Sequence, residues 1–505
     1  MHDLLPYIPQ QLSNIRAGLP YFMPELCLGA LFILVLVTDL FSGKTSTWLC
    51  RALSVAGLLV VIYQCLWQFV LLVSAKQSTV FIFDGMLMLH HTAILFKLVI
   101  DVVAILILLY IPWDKALRAH FKGLNDLYSI IIASVLGLHL MVMAVNLLSI
   151  YISIEMVSIA SYLMVAYRSD TSISTEAGLK YVLFGAVSSA IMLYGISLLY
   201  GFSGSLDLFS AMFINGLSAA NPTAVGLAIT LVMVGIGFKL SFVPMHFWVP
   251  DVYQGAATPV TAYLSTLPKI AGFALFCNFL TPFIFFSAKW AAFDFRLFLS
   301  IAGIVTMIVG NLAAIWQTNI KRLLAYSSIG HTGFALMALA TFSAQGISSL
   351  LFYLTVYAIA NIGALMLTTH YVNKIGAHDL DSYKGVGLRY PLPSVCFVII
   401  LVSLAGLPVS VGFNGKLMVF SSVYQVYQQS HNVWLLALMI TGAATTVVSL
   451  FYYIKIPLYL FLKKNEHHVE DQLATHQYLL IFICIISAFV LSVGVFPQLL
   501  GILQS

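Results

Sequence analysis

Four ionisable residues lie deep inside long apolar runs of this chain: Glu155, Lys239, Lys269 and Lys416. A charge at a bilayer centre costs roughly 2.5–3.5 kcal/mol on insertion scales, so each needs a reason to be there. Amines and carboxyls in such places gain or lose protons as an opposite charge approaches or withdraws, which is the chemistry of proton transfer. Lys239 sits in VMVGIGFKLSFVPMHFWVP, among Gly235, Gly237 and Pro244. Lys416 sits in SLAGLPVSVGFNGKLMVF, among Gly406, Pro408, Gly412 and Gly415. Glycine and proline around a buried charge predict a helix interrupted near mid-membrane. Two such segments at matching places in two halves are the sequence pointer to an ion path.

Other polar residues in apolar runs have plainer readings. His331, in KRLLAYSSIGHTGFALM, follows Tyr326, Ser327 and Ser328. A buried histidine is ordinarily a structural hydrogen-bonding group; His331 gains weight because it shares a membrane level with lysines that can exchange protons with it. Lys455, five residues from a span end, and Lys180, four residues after Glu176, suit side chains that snorkel to the interface. Asp101 follows Lys97 by four residues, which predicts a neutralised pair on one helix face. His246 falls at the far end of its span.

The elements that position these residues follow from composition. Of 505 residues, 61% are hydrophobic and 8% charged, where a soluble domain carries about 25% charged. The fold class is therefore an all-α polytopic membrane protein. Apolar runs predict fourteen spans, near 20–40, 52–74, 84–111, 126–145, 147–167, 176–202, 225–248, 259–286, 297–317, 323–341, 345–372, 393–425, 431–461 and 475–501. Spans 7 and 12 are the ones expected to break. Their separation by five hints at two five-helix repeats, 125–286 and 287–461, preceded by three helices in 1–124 and followed by a last helix in 462–505. Thirteen Lys and Arg fall in odd-numbered loops (Lys44, Arg51, Lys115, Arg118, Lys122, Arg168, Lys321, Arg322, Lys374, Lys384, Arg389, Lys463 and Lys464). Four fall in the even loops and N-terminus (Arg16, Lys76, Lys289 and Arg296). This bias predicts cytoplasmic odd loops and both termini outside.

Several function classes fall away. The net charge of +5 comes with no basic face for nucleic acid. Cys27, Cys50, Cys65, Cys277, Cys396 and Cys484 show no spacing that would hold zinc or an iron–sulfur cluster. The pairs His90-His91 and His467-His468 read as interfacial residues. Gly43-Lys44-Thr45 ends like a phosphate loop, but Thr38 stands where its first glycine belongs. Residues 1–20 do not read as a cleavable signal. No metal, nucleotide or redox cofactor site is expected in the chain. An intramembrane transferase would need acids or histidines clustered at one membrane face with large loops, and the loops here are short.

The string HFWVPDVYQGAATPVTAYLSTLPKIAGFA, His246 to Ala274, resembles the signature of the subunit N family of bacterial respiratory complex I, the proton-pumping NADH:quinone oxidoreductase. Supporting strings are NLLSIYISIEMVSIASYLMVAY, EAGLKYVLFGAVSSAIMLYG, KRLLAYSSIGHTGFALM and LAGLPVSVGFNGKLMVF. The likeness runs from about residue 125 to 460. The sister subunits L and M, and the multisubunit cation/proton antiporters, carry an Ala-His type of sequence where this chain has Asp251-Val252-Tyr253. Ala257 in place of a common proline, and Pro268 directly before Lys269, depart from the family pattern.

The resemblance implies two inverted five-helix repeats and proton translocation through Glu155 paired with Lys239, then Lys269, His331 as a relay, and Lys416. Lys180 matches a lysine of the family motif. It implies that NADH, FMN, iron–sulfur clusters and quinone belong to partner subunits, with no cofactor in this chain. The expected partners are the antiporter-like M subunit, the small K, J and A types of membrane subunit, and membrane lipids, in a bacterial inner membrane. The alternative is a subunit of a multisubunit Na+/H+ antiporter.

Overall fold

A computed structural model describes residues 8–42, 47–120, 123–168, 170–285, 293–463 and 477–503. The loop residues Lys44, Lys122, Lys289 and Lys464, the Gly43-Lys44-Thr45 string, the His467-His468 pair and the expected repeat boundary at 286/287 lie outside the described residues.

In lipid, every backbone polar group must find its partner inside the segment, so the apolar runs form helices. The N-terminal part comprises α1 (Ile8–Gly18), α2 (Met23–Ser42), α3 (Thr47–Ser74), α4 (His91–Tyr110) and the short α5 (Lys115–Arg118). Next come α6 (Asn125–Met143), α7 (Leu147–Val165), α8 (Ser172–Ser203), the short α9 (Ala211–Ala219), α10 (Pro222–Leu240), α11 (Val249–Gly255) and α12 (Thr258–Phe285). The rest comprises α13 (Phe295–Ile315), α14 (Ile320–Leu339), α15 (Ala344–Ile375), the short α16 (Val386–Arg389), α17 (Pro391–Ala405), α18 (Val411–Ser430), α19 (Val433–Phe461) and α20 (Gln477–Val495). Asparagines mark several starts: Asn146, Asn221, Asn319 and Asn432 accept from backbone N–H groups in the first turns of α7, α10, α14 and α19.

Twelve described helices are long and apolar enough to cross a membrane. The other two expected spans fall on α14 and on the α17–α18 pair. α14 is diluted by Ser327, Ser328, His331 and Thr332, and the α17–α18 segment is split in two. Both expected interruptions are present, between α10 and α11 and between α17 and α18. Counting crossings from α6, each break occupies the fourth of five.

Two expectations change. The third span does not begin at residue 84. Residues 79–90 form an antiparallel hairpin, β1 (Thr79–Ile82) and β2 (Leu87–His90), pairing Thr79 with His90 and Ile82 with Leu87. Its turn is closed by left-handed Phe83, Asp84 and Gly85 (φ 53, 54 and 81°), and His90 then caps α4 by accepting from Ala93 N. Lys97 does not pair with Asp101. Its ammonium lies 2.6 Å from Glu25 of α2, both side chains fully buried, while Asp101 faces His139 of α6 at 3.0 Å. Glu25 of α2 and His139 of α6, brought in by the tertiary packing, give Lys97 and Asp101 partners at 2.6 and 3.0 Å.

α12 and α15 form the core of the bundle: 83% and 94% of their apolar windows are buried in protein, against 28% for α3 and α19. Asn361 of α15 donates to Ser265 of α12 at 2.6 Å, tying the two together. Lys455 of α19, expected to snorkel, donates to the carbonyl of Ile315, the last residue of α13, and satisfies an orphan acceptor of that helix end.

Candidate functional site

The first break places Lys239. Gly237 lets Phe242 fold back against α10, since a Cβ there would lie 2.6 Å from the Phe242 ring. Ser241 ends the helix in the left-handed region (φ 61°). Lys239 is thus held in the last turn of α10, buried, and donates to Ser158 Oγ of α7 at 3.1 Å. Glu155 lies one turn earlier on α7, half-buried, and accepts from Ser189 of α8. The expected Glu155–Lys239 pair is not closed: the carboxylate and the ammonium hold separate hydroxyl partners.

Lys269 lies on α12 in the buried core. Its ammonium donates to Ser328 O at 3.0 Å, Ser328 Oγ at 2.6 Å and Thr332 Oγ1 at 2.9 Å, all on α14. The helix runs through Pro268 without interruption. Thr332 Oγ1 is also 3.1 Å from the carbonyl of Leu240, the residue after Lys239. Thr332 therefore stands between the end of α10 and Lys269.

α14 has two polar edges because hydroxyl and imidazole residues recur at i, i+4 on adjacent rows. Ser328 and Thr332 face Lys269. Ser327 and His331 face the other way: the Tyr453 hydroxyl of α19 bonds Ser327 Oγ and lies 3.1 Å from His331 Nε2, and the Tyr353 hydroxyl of α15 lies 2.6 Å from His331 Nδ1.

The second break places Lys416. α17 ends at left-handed Gly406 (φ 82°), and α18 brings Lys416 back over that end. Its ammonium donates to Ala405 O at 2.8 Å and to Thr446 Oγ1 at 3.5 Å, and lies 4.8 Å from the Phe334 ring centre. A Cβ at position 406 would sit 2.7 Å from Lys416 Cδ, so the close approach needs glycine. A narrow cavity separates His331 from Lys416, lined by both and by Tyr353, Tyr357, Ser403 and Gly412; it has room for about one water.

Lys239, Lys269, His331 and Lys416 are thus four buried groups, each with hydroxyl partners, which come from α7, α14, α15 and α19. None of the three lysines makes an ion pair among the described residues. Hydroxyls can both accept and donate, so this arrangement can pass protons between amines. Lys180 lies apart from the series. It is 37% exposed, pairs with Glu176 and Asp251 at 2.7 Å each, and shares Asp251 with Arg322 (2.6 Å). His246 is buried in the first break with Nδ1 unpartnered. Sequence reading missed Ser158, Thr332, Tyr353 and Tyr453; only the Ser327-Ser328 run beside His331 hinted at the α14 edges.

Among the described residues no group of histidine, cysteine and carboxylate side chains has the arrangement to hold a metal ion. All six cysteines are free, with Cys396 and Cys484 sulfurs 3.9 Å apart.

Residues 144–446 match the family described as NADH:quinone oxidoreductase/Mrp antiporter, TM. The chain is 40% identical over 469 residues to NADH-quinone oxidoreductase subunit N 2 of Chloroherpeton thalassium, covering 92% of this chain and 90% of that protein. It is 36% identical over 471 residues to NADH-quinone oxidoreductase subunit N of Chlorobium chlorochromatii, covering 92% and 89%. Among solved structures it matches a chain of respiratory complex I from Thermus thermophilus with a TM-score of 0.74 and 26% identity, covering 94% of this chain and 98% of that one. It also shares its fold with a chain of an archaeal membrane-bound sulfane sulfur reductase (TM-score 0.80, 24% identity, 96% of each chain).

Proposed function

Because the chain belongs to the subunit N family of NADH-quinone oxidoreductase, we propose that it carries protons along Lys239, Lys269, His331 and Lys416, with Glu155 controlling entry. The chain is an integral membrane protein that works beside the other membrane subunits of complex I. The observation that carries the relay is the set of three buried lysines held by hydroxyls and carbonyls and by no carboxylate.

A carboxylate closing on Lys239 favours its charged form, and one withdrawing lets the proton go. The proton then reaches Lys269 by way of Thr332, crosses α14 to His331 between Tyr353 and Tyr453, and reaches Lys416 through the narrow cavity. Moving one charge against 100 mV costs about 2.3 kcal/mol, so the relay needs a driver. We assign that to quinone reduction in partner subunits, which also hold NADH, FMN and the iron–sulfur clusters; this chain then touches no electron. The two five-helix units are 125–286 and 287–461, the termini face the periplasm, and the membrane is a bacterial inner membrane. Lys180, with Asp251 and Arg322, serves the cytoplasmic mouth.

The test is made in membranes carrying the whole complex. Lys239→Ala or Glu155→Ala should reduce proton pumping and coupled quinone reduction while NADH oxidation by an artificial acceptor continues. Full coupled turnover in Lys239→Ala membranes overturns the relay. A sodium-dependent proton flux without NADH would favour an antiporter instead.

A further inference from the structure

The first four crossings hold a second set of buried ionisable groups that the relay does not use. Lys97 of α4 pairs with Glu25 of α2 at 2.6 Å. His139 of α6 is clamped between two carboxylates: Nδ1 faces Glu25 Oε1 at 3.2 Å and Nε2 faces Asp101 Oδ1 at 3.0 Å. The remaining polar neighbours come from α3 and α6. Gln68 Oε1 accepts from Lys97 at 3.0 Å, Cys65 Sγ lies 3.9 Å from Asp101 Oδ2, and Met143 Sδ lies 3.6 Å from Lys97.

A neutral imidazole has one N–H and one lone pair. Between two ionised carboxylates, its lone pair would point at an anion. The set therefore holds one proton beyond those of Lys97 and of the neutral ring, either as an imidazolium donating to both carboxylates or as a protonated carboxyl donating to the ring. With that proton the set is neutral in either form. Without it a net charge of −1 is left in the protein interior, where an uncompensated charge is strongly unfavourable. Two further features point to exchange. Glu25 Oε2 is buried and has no hydrogen-bond partner. Gln68 also lines an open pocket of about 560 Å³, with Arg16, Met23, Tyr63, Gln64 and Trp67, on the side where α2 begins and α3 ends.

We infer that Glu25, His139 and Asp101 form a proton-binding site, separate from the central relay, that exchanges one proton with the membrane face at the Gln68 pocket. In release, the Nδ1–H bond of His139 breaks as an O–H bond forms on Glu25. That proton then passes to water admitted past Gln68, leaving the set one charge more negative. Lys97 fixes the position of Glu25.

The inference does not rest on the relay, because proton binding is read without turnover. The experiment compares pH-difference infrared spectra of the purified complex, wild type against His139→Gln and Asp101→Asn, with assembly followed on native gels. The wild type should show a coupled carboxyl and imidazole change that both assembled variants lose, with proton uptake smaller by one per complex. Assembled variants with wild-type spectra and uptake overturn the inference. If neither variant assembles, the cluster belongs to folding alone and the inference also falls.

Discussion

The two broken helices solve one problem in opposite ways. At the first break the lysine belongs to the helix that ends: Lys239 lies in the last turn of α10 and reaches sideways to Ser158. At the second break the lysine belongs to the helix that starts: Lys416 lies in the second turn of α18 and reaches back to Ala405 O, at the end of α17. The Lys416 ammonium thus sits at a helix C-terminus, where terminal carbonyls and the helix dipole favour a cation, whereas the Lys239 ammonium leaves its own helix end for a hydroxyl of α7. What the two share is burial beside a break with neutral partners, and not the place of the lysine in its segment. What differs is the counter-charge: Glu155 lies one turn from the partner of Lys239, whereas Lys416 has carbonyl, hydroxyl and aromatic neighbours.

If the two positions are equivalent, Lys416→Ala should lower coupled quinone reductase turnover as severely as Lys239→Ala, by roughly 10²-fold or more, the scale of a lost proton-transfer group. A large gap between them would break the equivalence. The backbone offers the next contrast. Gly406→Ala adds a Cβ at φ 82° and 2.7 Å from Lys416 Cδ; left-handed alanine alone costs about 1–2 kcal/mol. Assembled complex on native gels and its turnover should both fall several-fold. Ser241→Gly, which relieves a left-handed serine at the other break, should leave both unchanged.

Smaller effects test the hydroxyls. Ser158→Ala removes the only side-chain acceptor found for Lys239 among the described contacts, a hydrogen bond to a charged group worth about 1.5–3 kcal/mol, and pumping should drop about tenfold. Thr446→Val should change pumping little, because Lys416 keeps the shorter bond to Ala405 O. Tyr453→Phe removes the hydroxyl between Ser327 and His331 but leaves Tyr353 on the ring; a loss of pumping smaller than that of Ser158→Ala and larger than that of Thr446→Val is expected.

The sequence made the lysines and their breaks legible because a charge in an apolar run, and glycine or proline beside it, are local signals. Lys416 among Gly406, Pro408 and Gly412 could be read without a partner in view. Partners were harder. Lys97 and Asp101 share a helix face, yet the charge that meets Lys97 is Glu25, which lies far away in sequence. Nothing in periodicity links α2 to α4. For the same reason Ser158, Thr332 and Tyr453 looked like ordinary hydroxyl residues until packing aimed them. The hairpin at 79–90 was hidden because its strands are apolar and run straight into α4, so a hydropathy window merged them.

Thr332 carries one further consequence. Its hydroxyl has a single hydrogen, and two carbonyls compete for it, Leu240 O and Ser328 O, each at 3.1 Å, while Lys269 occupies its lone-pair side. A hydroxyl that hands on one proton and takes up another is left pointing the opposite way, and cannot repeat the transfer until it swings back. In the relay proposed above, Thr332 is therefore an element that must reset before each transfer. The two carbonyls mark its two resting orientations.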